Sequence, residues 1–227
     1  NQESPNPSIE TLLHAFLPHK VVDHTHATAF LSLANLPEPK AILREIFGDS
    51  LALVPYIMPG FSLAKLAAEI AEKNPKAKGL ILLKHGHFTW GKSAKESYKR
   101  LIEQTNLVEK WFSDRRRKIA RRGKKDLKSN HRLLLSMIKK AYFELSEDPT
   151  PSVVLKIFTD KGISSQIDNH ISFGVTNRGV ATPDHVIRIK PKPWVLTRST
   201  QLEGQKAIND SLKNYIRDYK SYFTKWS

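Results

Sequence analysis

The run Gly79-Leu80-Ile81-Leu82-Leu83-Lys84 constrains the fold more than any other stretch of the chain. Until its last residue it offers no polar side chain to water on either alternating face. So short an apolar run is stable as a strand when both of its faces are covered. Covering both faces of a sheet calls for helices, and helical patterns lie on either side. Leu63, Leu66, Ala67 and Ile70 recur at helical spacing in a segment that Ser62 can cap and that runs through Lys73. Residues 8–17, 27–33, 41–47, 94–119, 133–145 and 208–226 read as further helices, and 20–24, 51–54, 153–158 and 185–190 as further strands. Strands separated by helices predict a layered α/β fold. With 227 residues, 40% of them apolar, the chain can bury a sizeable core as one domain or one with an appendage.

Three short words place metal-ligating side chains within this pattern. Asp23-His24-Thr25-His26 lies between apolar runs, so His24 and His26 flank one residue of an extended segment and project from one face. Lys84-His85-Gly86 ends the buried run, which puts His85 at a strand's carboxyl end, where open α/β sheets hold ligands. Ser8-Ile9-Glu10 opens the first helix, with Ser8 as its cap and Glu10 in the first turn. Three neutral imidazoles favour zinc or a similar divalent ion with a position left open for substrate. Each residue also has an ordinary explanation. A buried histidine is commonly a hydrogen-bonded core residue, and a carboxylate at a helix start is favoured by the helix dipole alone.

Taken together, Pro-Ser-Ile-Glu at 7–10, Val-Asp-His-Thr-His-Ala at 22–27, Tyr56-Ile57-Met58-Pro59-Gly60-Phe61 and Leu83-Lys84-His85-Gly86-His87-Phe88-Thr89-Trp90-Gly91 resemble the class II aldolase/adducin family. The likeness is to its bifunctional rhamnulose-phosphate aldolase/short-chain dehydrogenase branch. Thr182-Pro183-Asp184-His185-Val186-Ile187-Arg188-Ile189-Lys190-Pro191 looks like a segment that this branch carries after the aldolase core. The resemblance implies a layered α/β/α aldolase-like core over residues 1–127 and a smaller α/β extension over 128–227. It implies zinc held by His24, His26 and His85, with Glu10 as acid/base and as a metal ligand when substrate is absent. Ser8 would contribute to phosphate binding.

The implied reaction is a lyase step, the reversible cleavage of a ketose 1-phosphate into dihydroxyacetone phosphate and an aldehyde. A metal chelating the substrate carbonyl and a neighbouring hydroxyl withdraws electron density and stabilises the enediolate formed on cleavage. Glu10 would exchange the proton on that carbon, a task suited to a carboxylate of raised pKa. Sugar-phosphate epimerases and dehydratases share the scaffold and are the alternative. Relatives of this type carry a substantial segment before the glutamate and a fused dehydrogenase after the aldolase part. The chain is therefore expected to be a fragment, and without a G-x-G-x-x-G motif it is expected not to bind nicotinamide. A homo-oligomer, often a tetramer in the family, is the expected assembly, with a small sugar phosphate as ligand.

The net charge of +15 raises a second class of function. Residues 110–140 hold 13 Lys/Arg against 2 Asp/Glu, centred on Arg115-Arg116-Arg117-Lys118 and Arg121-Arg122-Gly123-Lys124-Lys125. Such a run can attract a polyanion, which makes a non-catalytic basic binding protein the second alternative. The few interleaved aromatics and the absence of a nucleic-acid-binding motif argue against nucleic acid as a partner. No apolar run approaches the roughly 20 residues of a membrane span, no signal pattern opens the chain, and there are no cysteines for a disulfide framework. A cytoplasmic protein is expected. His87 and His185 read as turn residues, Tyr56 and Trp90 as packing, His14 as a neighbour of Glu10, and Asp23 as facing away from His24.

Overall fold

The computed structural model describes residues 4–115, 131–157, 174 and 176–226. The chain divides into two compact units, one comprising residues 1–118 with 180–189 and the other 119–179 with 190–227. No helix among the described residues is long and apolar enough to cross a membrane.

The first unit is a mixed α/β layer structure. Its elements are α1 (Thr11–Phe16), β1 (Val21–Thr25), α2 (Thr28–Ala34), α3 (Pro39–Phe47), β2 (Ala52–Val54), α4 (Phe61–Lys73), β3 (Gly79–Leu82), β4 (Gly86–Gly91) and α5 (Ala94–Asp114). The four strands are ordered β1-β4-β3-β2, with β2 parallel to β3 and the other two pairings antiparallel. The uniformly apolar run is buried because its alternate residues serve two cores. Leu80 and Leu82, with Phe88 and Trp90 of β4, pack against Leu13 of α1 and Leu63, Ala64 and Ala67 of α4. Ile81 faces the opposite way, to Phe30 and Leu33 of α2, Leu43 and Phe47 of α3 and Val108 of α5.

Several local expectations are corrected. The buried strand stops at Leu82 rather than Lys84, and Leu83–His85 is a turn leading straight back into β4. Lys84 makes this possible by adopting φ +61°, a left-handed conformation unusual outside glycine. His85 therefore sits in an antiparallel hairpin turn, and His87 lies within β4, fully buried, rather than in a turn. Ser62 is not the cap of α4, because the helix already begins at Phe61 behind Gly60, whose φ of +142° suits a residue without a Cβ. Tyr56 is 54% exposed, so only Trp90 of the two aromatics belongs to the core.

At the end of this unit's chain comes α7 (Pro183–Arg188). Here the alternation His185 to Lys190 suggested a strand, but Thr182 and Pro183 form a helix start: the Thr182 hydroxyl accepts from the His185 N–H and Pro183 occupies the first turn.

The described part of the second unit is helical. α6 (His131–Leu145) and α9 (Gln205–Trp226) pack together, with α8 (Arg198–Leu202) between them in sequence. Gln205 donates to the Met137 carbonyl at 2.9 Å and Asn209 to Glu144 at 2.6 Å. Residues 151–157 form no strand, and Phe158 lies outside the described residues, as do residues 116–130 of the basic run.

Candidate metal centre

Four side chains from three separate stretches meet at one end of the sheet. Glu10, His24, His26 and His85 each offer one ligand atom, and these atoms lie within 4.8 Å of one another. Glu10 takes the capping position of α1, where its carbonyl accepts from Leu13 and His14 at 2.9 and 3.1 Å. Ser8 does not cap the helix. Its oxygen instead accepts from the Glu10 N–H at 3.2 Å while its hydroxyl donates to the Glu10 carboxylate, so the two residues brace each other.

His24, near the end of β1, is opposite Phe88 and stacks on its ring with centroids 4.0 Å apart. Its Nδ1 hydrogen is donated to the His87 carbonyl at 3.1 Å. His26 lies just past the strand, and its Nδ1 hydrogen is donated to Asp184 Oδ2 at 2.8 Å. A carbonyl and a carboxylate can only accept, so both imidazoles carry their proton on Nδ1 when neutral. The two Nε2 atoms nevertheless face each other at 3.0 Å. Two bare lone pairs at that distance repel unless a cation lies between them. His85, 3% exposed, adds a third nitrogen: neither ring atom has a hydrogen-bond partner among the described residues, and Nε2 stands 3.4 Å from Glu10 Oε1.

Charge on this group is controlled by burial. Desolvation, then the neighbouring His26, pushes the His24 pKa down to about 3, against the opposing pull of the His87 carbonyl. Burial and His26 also lower His85. Protons are thus poor occupants of His24 and His85. For Glu10 burial works upward, but the hydrogen bonds from Ser8 and from its own backbone N–H, with His24 and His85 nearby, bring the net shift below the ordinary carboxylate value. This corrects the expectation of a raised Glu10 pKa: the carboxylate is held ionised. Three neutral imidazoles, one carboxylate and no thiolate match the donor set of a divalent ion such as zinc.

Gly86 makes the convergence possible. A Cβ there would lie 2.5 Å from His24 Cε1 and 2.9 Å from His26 Cδ2. Behind the site, His87 Nε2 bonds Gln104 Oε1 at 2.7 Å and its ring stacks on Phe30. His87 is held away from the cluster and serves His24 through its main chain.

Residues 1–112 match the family model described as the Class II Aldolase and Adducin N-terminal domain, and residues 129–227 match that described as Aldolase class II, second domain. The chain belongs to the class II aldolase family. A relative from Bacillus subtilis (strain 168), the uncharacterized oxidoreductase YuxG, is 30% identical across 99% of this chain and 34% of its own length. The chain thus spans about a third of that curated relative. Among solved structures, the N-terminal class II aldolase domain of a conserved protein from Thermoplasma acidophilum is 42% identical, with a TM-score of 0.45 over 49% of this chain and 51% of that one. YgbL of Klebsiella pneumoniae, a putative aldolase/epimerase/decarboxylase, is 23% identical, with a TM-score of 0.41 over 52% of this chain and 62% of that one.

In this member of the class II aldolase family the cluster brings together all four residues expected to hold a metal. Asp23 is outside it, its buried Oδ2 without a hydrogen-bond partner among the described residues. His14 packs on Phe88 with centroids 5.4 Å apart. His185 turns toward its own helix cap, bonding Thr182. The residue that sequence reasoning passed over is Asp184, whose signal was the helix start Thr182-Pro183 immediately before it.

Proposed function

We propose that the chain is a zinc-dependent aldolase acting on a ketose 1-phosphate, with His24, His26, His85 and Glu10 holding the ion. The convergence of those four ligand atoms within 4.8 Å carries this reading, and membership of the family supports it. When bound, the ion would polarise the substrate carbonyl and stabilise charge that develops as the carbon–carbon bond breaks. The chain's own residues supply the rest.

Glu10, held ionised and half-buried, takes the proton from the substrate carbon in the synthetic direction and returns it on cleavage. Ser8 keeps the carboxylate in place by its hydroxyl, and it is exposed, so that hydroxyl would also be within reach of a phosphate oxygen of a bound substrate. Ile9, Leu13, Pro59 and Leu63 line an apolar recess beside Glu10 and His85 that limits water there. The products are dihydroxyacetone phosphate and an aldehyde.

The test is release of dihydroxyacetone phosphate from a panel of ketose 1-phosphates by zinc-loaded protein. Glu10→Gln should retain bound zinc and lose turnover by at least the roughly hundredfold that a positioned acid/base contributes. An isomerised sugar phosphate with no cleavage products, or a fully active Glu10→Gln variant, would overturn the aldolase reading.

A further inference from the structure

The segment 180–189 belongs to the first unit although 61 residues of the second precede it in the chain, from Ile119 to Gly179. It is fastened there by the Asn35 side chain, which donates to the Ala181 carbonyl at 2.9 Å from the end of α2. Thr182 and Pro183 then start α7 and fix where its first residues point. The result is that Asp184 Oδ2 accepts from His26 Nδ1 across 158 positions of sequence.

His26 needs this contact more than the other two imidazoles. His24 is clamped between the stacked ring of Phe88 and a main-chain carbonyl of β4. His85 is almost wholly buried. The His26 side chain is 22% exposed and follows the end of β1, so neither strand pairing nor deep packing fixes its ring. An unheld neutral imidazole carries its hydrogen on either nitrogen, and only the form with hydrogen on Nδ1 presents a bare Nε2 to the cluster.

We propose that Asp184 is the positioning residue of this site: its carboxylate fixes His26 as the Nδ1–H tautomer and aims Nε2 at His24, Glu10 and His85 before any ion binds. This rests on the metal reading above. It also assigns a job in the metal centre to the Thr-Pro-Asp-His segment, which lies within the stretch matched by the second family domain. A carboxylate behind a ligating imidazole both orients the ring and raises its basicity, and loss of such a partner commonly weakens metal affinity 10- to 100-fold. The rival view is a surface ion pair that merely pins α7.

The experiment compares the 227-residue wild-type chain, Asp184→Ala and Asp184→Leu by two measurements at pH 7.5. Two-bond 1H–15N correlation spectra of the zinc-free proteins read the His26 tautomer, assigned by its loss in His26→Gln. Competition with a chromophoric chelator reads zinc affinity. In wild type His26 is expected as the Nδ1–H form. Asp184→Ala should shift it toward Nε2–H and weaken zinc binding about 10- to 100-fold. An unchanged tautomer, or an affinity within about twofold of wild type, overturns the proposal. Should Asp184→Ala lose its native circular dichroism, Asp184→Leu, close to aspartate in size, carries the same reading, because its side chain cannot accept from Nδ1. If wild type binds no zinc, the function proposed above fails, while the tautomer spectra alone still decide the role of Asp184.

Discussion

The Nε2 atoms of His24 and His26 face each other at 3.0 Å although both rings donate their Nδ1 hydrogens elsewhere. That arrangement sets two lone pairs against each other, which a divalent ion between them relieves, while burial, by holding His24 near a pKa of 3, disfavours a proton on that ring. The protein is therefore expected to take up about one zinc per chain. A four-ligand zinc site is worth on the order of 12 kcal/mol, so deleting one ligand by His24→Ala or His26→Ala should cost about 3 kcal/mol, on the order of a hundredfold in affinity. Elemental analysis and chelator competition check this. Wild-type affinity in either variant would remove that histidine from the site.

Zinc should also stabilise the first unit, because the ligands come from α1, β1 and the β3–β4 turn and converge only in the folded chain. At a free concentration of about 100 times Kd the linkage term is roughly 2.7 kcal/mol, which corresponds to a rise in Tm of roughly 5–10 °C. Differential scanning fluorimetry with and without zinc measures the shift. A Tm indifferent to zinc would mean the ion does not bind the native site.

How much of this was legible beforehand depends on which interactions are local. The shared face of His24 and His26 follows from period-two alternation, and Glu10 at a helix start from the turn before it. The hairpin was hidden, because Leu82-Leu83 carries no stop signal and Lys84, rather than glycine, takes the left-handed position. Strand order and the antiparallel pairings are long-range matters that no single segment encodes. The lowered pKa of Glu10 depends on its mutual bonds with Ser8, where a buried, raised carboxylate was expected from the chemistry alone. Asp184 was missed because the alternation in Val-Ile-Arg-Ile-Lys reads as a strand and drew attention to His185, whereas the cap at Thr182 makes a helix that aims the aspartate at His26.

Acid should weaken the metal-free fold well before its carboxylates protonate. Burial lowers the His24 pKa to about 3 and the His87 pKa to about 4, and lowers His85, whereas all three titrate near 6.5 when unfolded. The folded chain thus refuses protons that the unfolded chain binds. Stability from these groups is complete above pH 6.5 and declines as pH falls toward the folded values, at about 1.4 kcal/mol per pH unit for each histidine. His87, fully buried, gives the cleanest contribution, about 3 kcal/mol lost by pH 4. Urea midpoints from pH 8 to pH 5 should fall, with a shallower slope in His87→Gln. A flat profile, or one unaffected by that substitution, contradicts the assignment.

Gly86 separates the shape of the site from its ligands. Its φ is not in the left-handed region, so alanine is tolerated by the backbone, yet the added methyl would sit 2.5 Å from His24 and 2.9 Å from His26, with the Thr25 carbonyl at 3.0 Å. One or both rings must move. Gly86→Ala should therefore lower zinc affinity at least tenfold with every ligand still present, at a stability cost of about 1–3 kcal/mol for the overpacking. Gly48→Ala is the matched control: nothing lies within 4 Å of its new methyl, but its φ of +53° with ψ −128° imposes about 1–3 kcal/mol of backbone strain on a residue with a Cβ. It should be destabilised to a similar degree while binding zinc like wild type. If the two variants bind zinc equally, the close approach of Gly86 to the two imidazoles does not shape the metal centre, and the geometry around His24 and His26 tolerates more displacement than their 3.0 Å contact implies.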